Sequence, residues 1–182
     1  MIRMVCLSLS LAVALSACAA PPSAPRIGPD GKPLPQVYHI GSGQKAEIQF
    51  RMLDAVNSLR EAAGRMPLEL DSKLNAAAAT HSRDMQVQNR PWHFGSDGSS
   101  PLDRIERVGY EGALVGETIS ETYETEMQTL AAWMEREDTR RVILSPQARR
   151  MGFAWHQEPS GKIWWTMVLG SEPRTAAKAA TG

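Results

Sequence analysis

Two side chains, His93 and Glu117, are of types that could bind a ligand or transfer protons. His93 lies in residues 92–98, a glycine-containing loop without hydrophobic periodicity, and loops held by a scaffold often carry functional residues. Glu117 follows Gly116 near the end of a predicted buried strand, where a carboxylate is costly unless it is paired. We therefore predict a cleft in which His93 and Glu117 face each other. The alternative is that His93 only packs and hydrogen-bonds to the backbone of its own loop.

The other candidate side chains have simpler explanations. His39 lies in a proline-rich segment, and His156 lies within a predicted strand. His81 falls on the apolar stripe of a predicted helix and is interpreted as a satisfied core histidine. Three serines near His93 are typical of turns and helix caps rather than of nucleophiles: Ser96, Ser99 and Ser100. Without a nucleophile beside an oxyanion site, a His93–Glu117 pair could only orient a water molecule as general base.

The helices that must position these residues follow from hydrophobic spacing and capping residues. Apolar residues recur at helical intervals from Ile48 to Ala63, and Gly64 can end that helix. Asp71 is a suitable N-cap for a second helix, and residues 100–103 combine a capping box with a proline to start a third. A stripe formed by Met127, Leu130, Ala131 and Met134 predicts a fourth helix. A short helical turn is expected over residues 138–144.

Strands are predicted late in the chain. Residues 151–157 and 163–170 flank a turn at 158–161, and a third strand is expected over 113–119. The strand at 163–170 is apolar at almost every position, unlike an antiparallel strand with one face in water. It must therefore be covered on both sides. The predicted fold is α/β, a three-layer α/β/α sandwich in which helices cover both faces of a small, mainly antiparallel sheet.

Residues 1–17 are typical of a secretory signal peptide. Arg3 precedes an apolar run of about 14 residues, shorter than the roughly 20 that span a bilayer. The run ends in Leu15-Ser16-Ala17-Cys18, which resembles the lipobox of bacterial lipoproteins, where cleavage before the cysteine accompanies lipidation of its sulfur. We predict that Cys18 carries the lipid and that Cys6 is removed with the peptide. The alternative is ordinary cleavage near residues 17–20.

The segment after Cys18 is predicted to be a tether. Residues 21–35 contain six of the 12 prolines, which disfavour helices and sheets and favour an extended spacer. We expect residues 18–44 to tether a folded domain at 45–170, followed by a disordered tail at 171–182. Because no acidic residue follows Cys18 directly, the resemblance to lipoproteins implies the outer rather than the inner membrane of a bacterial cell envelope.

Composition excludes several other classes of protein. The chain has 182 residues, 20 basic and 20 acidic side chains, and no net charge, so it lacks the basic surface that binds nucleic acid. This length favours one domain with a real core. Two cysteines within the first 18 residues cannot form a disulfide scaffold. We expect a monomer.

The stretch from Asn57 to Gly170 resembles the CAP superfamily, which comprises cysteine-rich secretory proteins, antigen 5 and pathogenesis-related 1 proteins and is also called the SCP domain. It is most similar to the short bacterial members without disulfides. The resemblance rests on the order of several short segments: Asn57-Ser58-Leu59-Arg60, Pro67-Leu68, residues 79–85, residues 93–98, Asp103-Arg104-Ile105, Gly109-Tyr110, Gly116-Glu117, Trp133-Met134, Arg140, Ile143-Leu144, Gly152-Phe153 and Trp164-Trp165-Thr166.

The resemblance implies an α/β/α sandwich whose central cleft carries two histidines and two glutamates. Some members bind zinc there, and others bind sterols or fatty acids elsewhere. His93 matches the first cleft histidine. Glu117 matches the glutamate of a Gly-Glu-Asn motif, with Thr118 in place of the asparagine. Thr139 stands where bacterial relatives have the second histidine, and Arg136, flanked by Glu135 and Glu137, stands where the second glutamate would be expected.

This incomplete tetrad determines the expected function. One imidazole and one carboxylate fall short of the three protein ligands of a catalytic zinc, so we expect no tightly held metal and no cofactor. We predict a membrane-anchored, extracytoplasmic CAP-domain lipoprotein that binds a lipid, cell-wall or protein ligand in its cleft without catalysis. One alternative is a hydrolase or peptidase that uses His93 and Glu117 with a metal or water. The other is a structural envelope protein.

Overall fold

The computed structural model describes residues 37–173. Five helices and four strands occur in this part of the chain: α1 Lys45–Ala62, β1 Glu69–Leu70, α2 Ser72–Gln88, α3 Pro101–Arg107, β2 Leu114–Thr122, α4 Glu126–Glu135, α5 Glu137–Ile143, β3 Arg150–Gln157 and β4 Ile163–Gly170. The predicted signal peptide, the lipidated Cys18, most of the tether and the end of the tail lie outside the described residues. No described helix combines the length and apolarity needed to cross a membrane.

The sheet has the order β1-β3-β4-β2. Strand β4 pairs antiparallel with both β3 and β2, and β1 adds a short parallel pairing to β3. Strand β2 therefore lies at one edge of the described sheet. It extends to Thr122, beyond the predicted end at residue 119. Strand β1 was not predicted, because two residues carry no hydrophobic period.

Both faces of the sheet are covered by helices, as predicted from the apolar run of β4. On one face, Trp165, Met167 and Leu169 pack against side chains from α1 and α4. On the other face, Val168 packs against α2 and α3. Strand β3 approaches α2 so closely at Gly152 that a Cβ there would lie 2.2 Å from the Leu74 carbonyl carbon. The three-layer α/β/α sandwich is confirmed.

Capping residues start the helices that lead to the site. The Asp71 carboxylate accepts hydrogen bonds from the backbone N–H groups of Lys73 and Leu74 and so begins α2. Ser100 and Asp103 form the predicted capping box of α3. Helix α2 ends at Asn89, which adopts the left-handed conformation with φ of 48°, as is common for asparagine after a helix.

The buried face of α4 is rotated by about one residue from the predicted one, so the prediction of this stripe is wrong. Met127 is 38% exposed and Ala131 is exposed, whereas Leu130 and Trp133 are buried together with the polar residues Glu126 and Thr129. The physical reason is the Trp133 indole. Its Nε1–H donates to Ser120 Oγ at 2.9 Å and to the Ile119 carbonyl at 3.2 Å, which turns this side of α4 toward β2.

Arg60 on α1 is fully buried, and no described carboxylate pairs with it. Its guanidinium donates to four backbone carbonyls around the end of α5 and the neighbouring loops: Met66, Ile143, Ser145 and Ala148. Carbonyls at a helix C-terminus have no intrahelical donors, and Arg60 supplies donors for them. Burial lowers the pKa of Arg60, but an arginine remains charged at neutral pH.

Contacts of the packed domain extend beyond residues 45 and 170. The Gln157 side chain accepts a hydrogen bond from the Ile40 N–H at 3.0 Å and donates to the Tyr38 carbonyl at 2.6 Å. At the other end, the Ser171 N–H donates to the Ala113 carbonyl at 2.9 Å. Residues 38–40 and 171 are thus held against the sheet, although we assigned them to the tether and the tail.

Candidate functional site

His93 is positioned by a network that fixes the loop between α2 and α3. Asp84 accepts hydrogen bonds from the backbone N–H of Ser96 at 2.7 Å and from its hydroxyl at 2.6 Å. Arg104 donates to the backbone carbonyls of His93 at 3.0 Å and Ser99 at 3.1 Å. The His93 side chain is 51% exposed. The loop backbone is therefore held at several points while the imidazole faces solvent.

Glu117 and His93 lie together, as the sequence analysis predicted. The Glu117 side chain is only 1% exposed, and its Oε1 accepts a hydrogen bond from His93 Nδ1 at 2.9 Å. Arg104 Nη2 donates to both carboxylate oxygens, at 2.9 and 2.7 Å. The buried carboxylate is thus paired with a guanidinium that is itself 5% exposed.

Arg104 is the site residue that the sequence analysis missed. In the sequence it stands only within Asp103-Arg104-Ile105, one of the segments that resemble the family. The cost of burying Glu117 indicates that a cation is needed, but α3 offers both Arg104 and Arg107. Arg107 instead forms an exposed pair with Asp97 at 2.5 Å. Only the fold distinguishes the two arginines.

His81 is a core residue, as predicted, but it also adjoins the site. It is fully buried on α2, and its Nε2 lies 3.7 Å from Glu117 Oε1. Nε2–H donates to the Trp92 carbonyl at 3.0 Å, and Nδ1 has no hydrogen-bond partner among the described residues. Burial lowers the pKa of His81, which favours the neutral imidazole at neutral pH.

These residues do not fit the zinc site that some family members have. Both oxygens of Glu117 accept from Arg104, and a guanidinium adjoining the carboxylate repels a metal cation. His93 uses Nδ1 on Glu117, which leaves Nε2 as its one nitrogen without a partner among residues 37–173. Within residues 37–173, no group of three or more His, Cys, Asp or Glu side chains could hold a metal ion.

The residues at the two unmatched tetrad positions have structural partners. The Thr139 hydroxyl donates to the carbonyls of Trp133 and Arg136, where α4 gives way to α5. Arg136 pairs with Asp138 at 2.8 Å on the surface. The Thr139 hydroxyl is therefore bonded to the end of α4 and not to the His93–Glu117 pair.

An open groove of about 680 Å³ adjoins His93. One wall is the loop that precedes α3, the floor is the edge strand β2, and the other wall is the junction of α4 and α5. The lining residues come from these three segments: Pro91, Trp92, His93 and Phe94; Thr118, Ile119, Ser120 and Glu121; and Ala132, Trp133, Arg136, Asp138 and Thr139. Because they are far apart in the sequence, no local motif indicates the groove.

Two exposed aromatic rings flank His93 on its wall of the groove. Trp92 is 36% and Phe94 45% exposed, and their ring centroids lie 5.1 Å apart at an interplanar angle of 54°. The Arg90 guanidinium carbon lies 3.9 Å from the centroid of the Trp92 ring, within the range of a cation–π contact. Exposed aromatic rings beside polar groups are typical of binding surfaces.

A buried carboxylate that faces a loop histidine in an α/β/α sandwich is one half of the cleft arrangement that the family resemblance implies. The family model described as CAP, the cysteine-rich secretory protein family, matches residues 53–169. The protein belongs to this family.

Two curated relatives come from Bacillus subtilis (strain 168). The uncharacterized protein YkwD is 29% identical over 120 residues, which are 66% of this chain and 46% of YkwD. The uncharacterized membrane protein YlbC is 28% identical over 102 residues, which are 56% of this chain and 30% of YlbC. The chain thus spans less than half the length of these curated relatives.

Solved structures of bacterial proteins share the fold. An outer surface protein from Borrelia burgdorferi superimposes with a TM-score of 0.66 at 16% identity, over 75% of this chain and 98% of that protein. An extracellular protein from Bacillus anthracis that contains an SCP domain gives a TM-score of 0.65 at 19% identity, over 74% of this chain and 45% of that protein. The relatives named here thus include extracellular, outer-surface and membrane proteins of bacteria.

Proposed function

We propose that this protein is a lipid-anchored, extracytoplasmic binding protein of the bacterial cell envelope, and that its ligand lies in the groove beside His93 without being chemically changed. The observation that carries this proposal is the pairing of Glu117. Its carboxylate is buried, bonded by both oxygens to Arg104 and bonded to His93.

A carboxylate held in this way is a poor general base. An adjacent guanidinium favours the ionised carboxylate and so opposes transfer of a proton to it. A general base must also reach the proton that it removes, and Glu117 is covered. The hydrolase alternative would then require His93 Nε2 to act as the base. Within the described part of the chain, no serine or threonine hydroxyl is hydrogen-bonded to the His93 imidazole, and the Thr139 hydroxyl is bonded to the end of α4.

The groove has features that suit binding. Ligand sites combine apolar or aromatic walls with a few polar groups that orient the ligand. Here Trp92 and Phe94 supply the aromatic wall, and His93 Nε2 and the polar residues of β2 supply the polar groups. Envelope location is supported by the lipobox-like sequence before Cys18 and by the extracellular and membrane relatives. The absence of an acidic residue directly after Cys18 supports the outer membrane.

The test is ligand identification on protein purified from its native membrane, with groove and control variants. Phe94→Ala removes a groove ring, whereas Phe50→Ala removes an exposed ring on α1 outside the groove lining. We expect mass spectrometry to find a co-purifying envelope molecule with the wild type and Phe50→Ala, and much less of it with Phe94→Ala. Equal recovery in all three proteins, or none, would contradict binding in the groove. Turnover of that molecule that is lost in His93→Ala would establish the hydrolase instead.

The anchor needs a separate test. Cys18→Ala should abolish incorporation of radiolabelled palmitate and move the protein from the detergent phase to the aqueous phase of a Triton X-114 separation. Fractionation of the outer and inner membranes then locates the wild type. If Cys18→Ala stays membrane-bound and labelled, the anchor is wrong.

A further inference from the structure

The floor of the groove is the open edge of a β-sheet. Within the described residues, β2 pairs with β4 on one side alone. In an antiparallel pair, every second residue turns its N–H and C=O away from the partner strand. The Ile119 carbonyl accepts from Trp133 Nε1 at 3.2 Å, and the Tyr123 carbonyl accepts from the Tyr38 N–H at 3.2 Å. Ile119 lies within β2, so its bond to Trp133 shows that the odd-numbered residues of the strand turn outward, and Glu121 does as well.

Among the described residues, other elements bond to this edge at the Ile119 carbonyl and, beyond the end of β2, at the Tyr123 carbonyl. At Gly116, a Cβ would lie 2.7 Å from Val142 Cγ1, so α5 packs on one face of the strand there, since a strand's Cβ atoms point to the faces of the sheet and not along its edge. Just beyond the C-terminal end of β2, the Tyr123 carbonyl accepts a hydrogen bond from the Tyr38 N–H. Residues 118–121 between them line the groove, a length of about 13 Å at roughly 3.3 Å per residue. Folded proteins generally cover or disrupt exposed edges, because unpaired backbone groups recruit another strand.

The charged side chains of the groove already have partners. Arg136 pairs with Asp138 at 2.8 Å, and Glu121 pairs with Lys162 at 2.9 Å. The groove therefore offers a row of backbone donors and acceptors and an aromatic wall, rather than a strong net charge. One acceptor in the row, the Ile119 carbonyl, is already shared with the Trp133 indole.

We propose that the groove binds an extended polypeptide segment of a partner protein, about four residues long, which adds to the sheet as a strand beside β2. This inference rests on the proposed binding function and names its ligand class. Outward-facing residues of β2 repeat about every 6.8 Å. Glu121 presents a donor and an acceptor, and Ile119 presents a donor, since its carbonyl already accepts from Trp133. The backbone of another strand has this same repeat, whereas the hydroxyls of a glycan do not. An apolar side chain of the segment would pack on Trp92 and Phe94.

The test starts from a library of random ten-residue synthetic peptides, screened against the full-length protein in detergent. Each selected peptide is then resynthesised with a single N-methyl group at each position in turn, which removes one N–H donor. Binding is measured by fluorescence anisotropy. Strand addition predicts that methylation at alternate residues weakens binding at least about tenfold, equivalent to about 1.4 kcal/mol, while the intervening positions tolerate it.

Two substitutions of Glu121 test the hydrogen bonds that the backbone of β2 would make to the peptide. Glu121→Pro removes an outward backbone N–H and leaves the pairing with β4 intact, since proline is tolerated where an edge residue faces away from the ladder. Glu121→Ala is the matched control, because it loses the carboxylate and its Lys162 pair but keeps the N–H. We expect a large loss of peptide binding with Glu121→Pro and little change with Glu121→Ala. If Glu121→Pro does not fold, the methylation scan with the wild-type protein still tests whether the peptide adds as a strand.

The outcomes separate this inference from the proposed function. A failure to select any peptide whose binding depends on Phe94 overturns strand addition, and so does a methylation pattern without a period of two. The disaccharide of N-acetylglucosamine and N-acetylmuramic acid serves as the competing probe. If it binds and Phe94→Ala abolishes that binding while peptides fail, the peptide inference falls but the groove function stands. Absence of any co-purifying molecule in the earlier experiment contradicts the groove function itself.

Discussion

Replacing Arg104 with methionine should destabilise the domain far more than an ordinary charge deletion. Methionine keeps much of the apolar length of the side chain but removes the guanidinium that bonds to both Glu117 oxygens at 2.9 and 2.7 Å. The Glu117 carboxylate, 1% exposed, would keep His93 Nδ1 as its remaining close donor. The buried Glu117 carboxylate would then lack the opposite charge and the two hydrogen bonds that offset its removal from water.

The magnitude follows from this burial. Removing one partner of a buried ion pair costs about 3–5 kcal/mol, because the other charge stays desolvated. For a domain of this size the melting temperature should fall by roughly 10–20 °C. Arg107→Met is the matched control on the same helix. It breaks the Arg107–Asp97 pair, whose side chains are 59% and 53% exposed, and solvent screening makes such exposed pairs contribute little to stability.

The decisive measurement is a double-mutant cycle with Glu117→Gln, followed by thermal and urea unfolding monitored by circular dichroism. The double variant removes both charges and leaves a neutral amide, whose unpaired groups cost about 1–3 kcal/mol. It should therefore be more stable than Arg104→Met alone. If the two substitutions instead add, or if Arg104→Met costs no more than Arg107→Met, the buried pair does not stabilise the site and the reasoning is wrong.

Three further predictions concern other parts of the described domain. Arg60→Met should cost about 2–6 kcal/mol in urea unfolding, because the Met66 and Ile143 carbonyls lose their donor at about 1–3 kcal/mol each, while the Ser145 and Ala148 carbonyls keep a second donor. Arg136→Met removes an exposed pair that solvent screens and should cost much less; equal losses would refute this. Burial lowers the pKa of His81 from 6.5, so as pH falls below 6.5 the unfolded state takes up a proton that the folded state does not. Stability should fall at up to about 1.4 kcal/mol per pH unit until the folded-state pKa is reached, and His81→Gln should remove this component from unfolding curves measured between pH 6.5 and 4.5. Thr139→His should not create a tight zinc site, because Glu117 remains bonded to Arg104; one equivalent of zinc retained after desalting, measured by atomic absorption, would contradict this.

The architecture was predictable wherever a local sequence pattern has one physical cause, such as burial of both faces of a strand or capping of the first N–H groups of a helix. The continuous apolar run of β4 requires cover on both faces, and that alone implies three layers. Asp71 and Ser100 start their helices because each supplies a side-chain acceptor to free backbone N–H groups. The face of α4 was mispredicted because the contact between Trp133 and β2 outweighs the apolar residues Met127 and Ala131. That contact is tertiary and leaves no period in the sequence.

The site was predictable only in part. The His93–Glu117 pair follows from a loop histidine and a carboxylate that needs a partner. Arg104 could not be chosen over Arg107, since the choice depends on which side of a seven-residue helix faces the sheet. The groove could not be foreseen either, because its walls and floor come from three distant segments that only the fold brings together.

The buried Glu117 cluster and the open edge of β2 share one strand, and this relation gives the cluster a role in positioning the groove. Glu117 points its side chain toward Arg104 and His81 while its neighbours Thr118 to Glu121 form the groove floor. Bonds from Arg104 to the Glu117 carboxylate and to the His93 carbonyl join the floor to the loop that carries Trp92 and Phe94. A buried ion pair adds little net stability but can fix one geometry among alternatives. Arg104 thus sets the distance between the backbone row on the floor and the aromatic wall, and an added strand would need that distance to be constant.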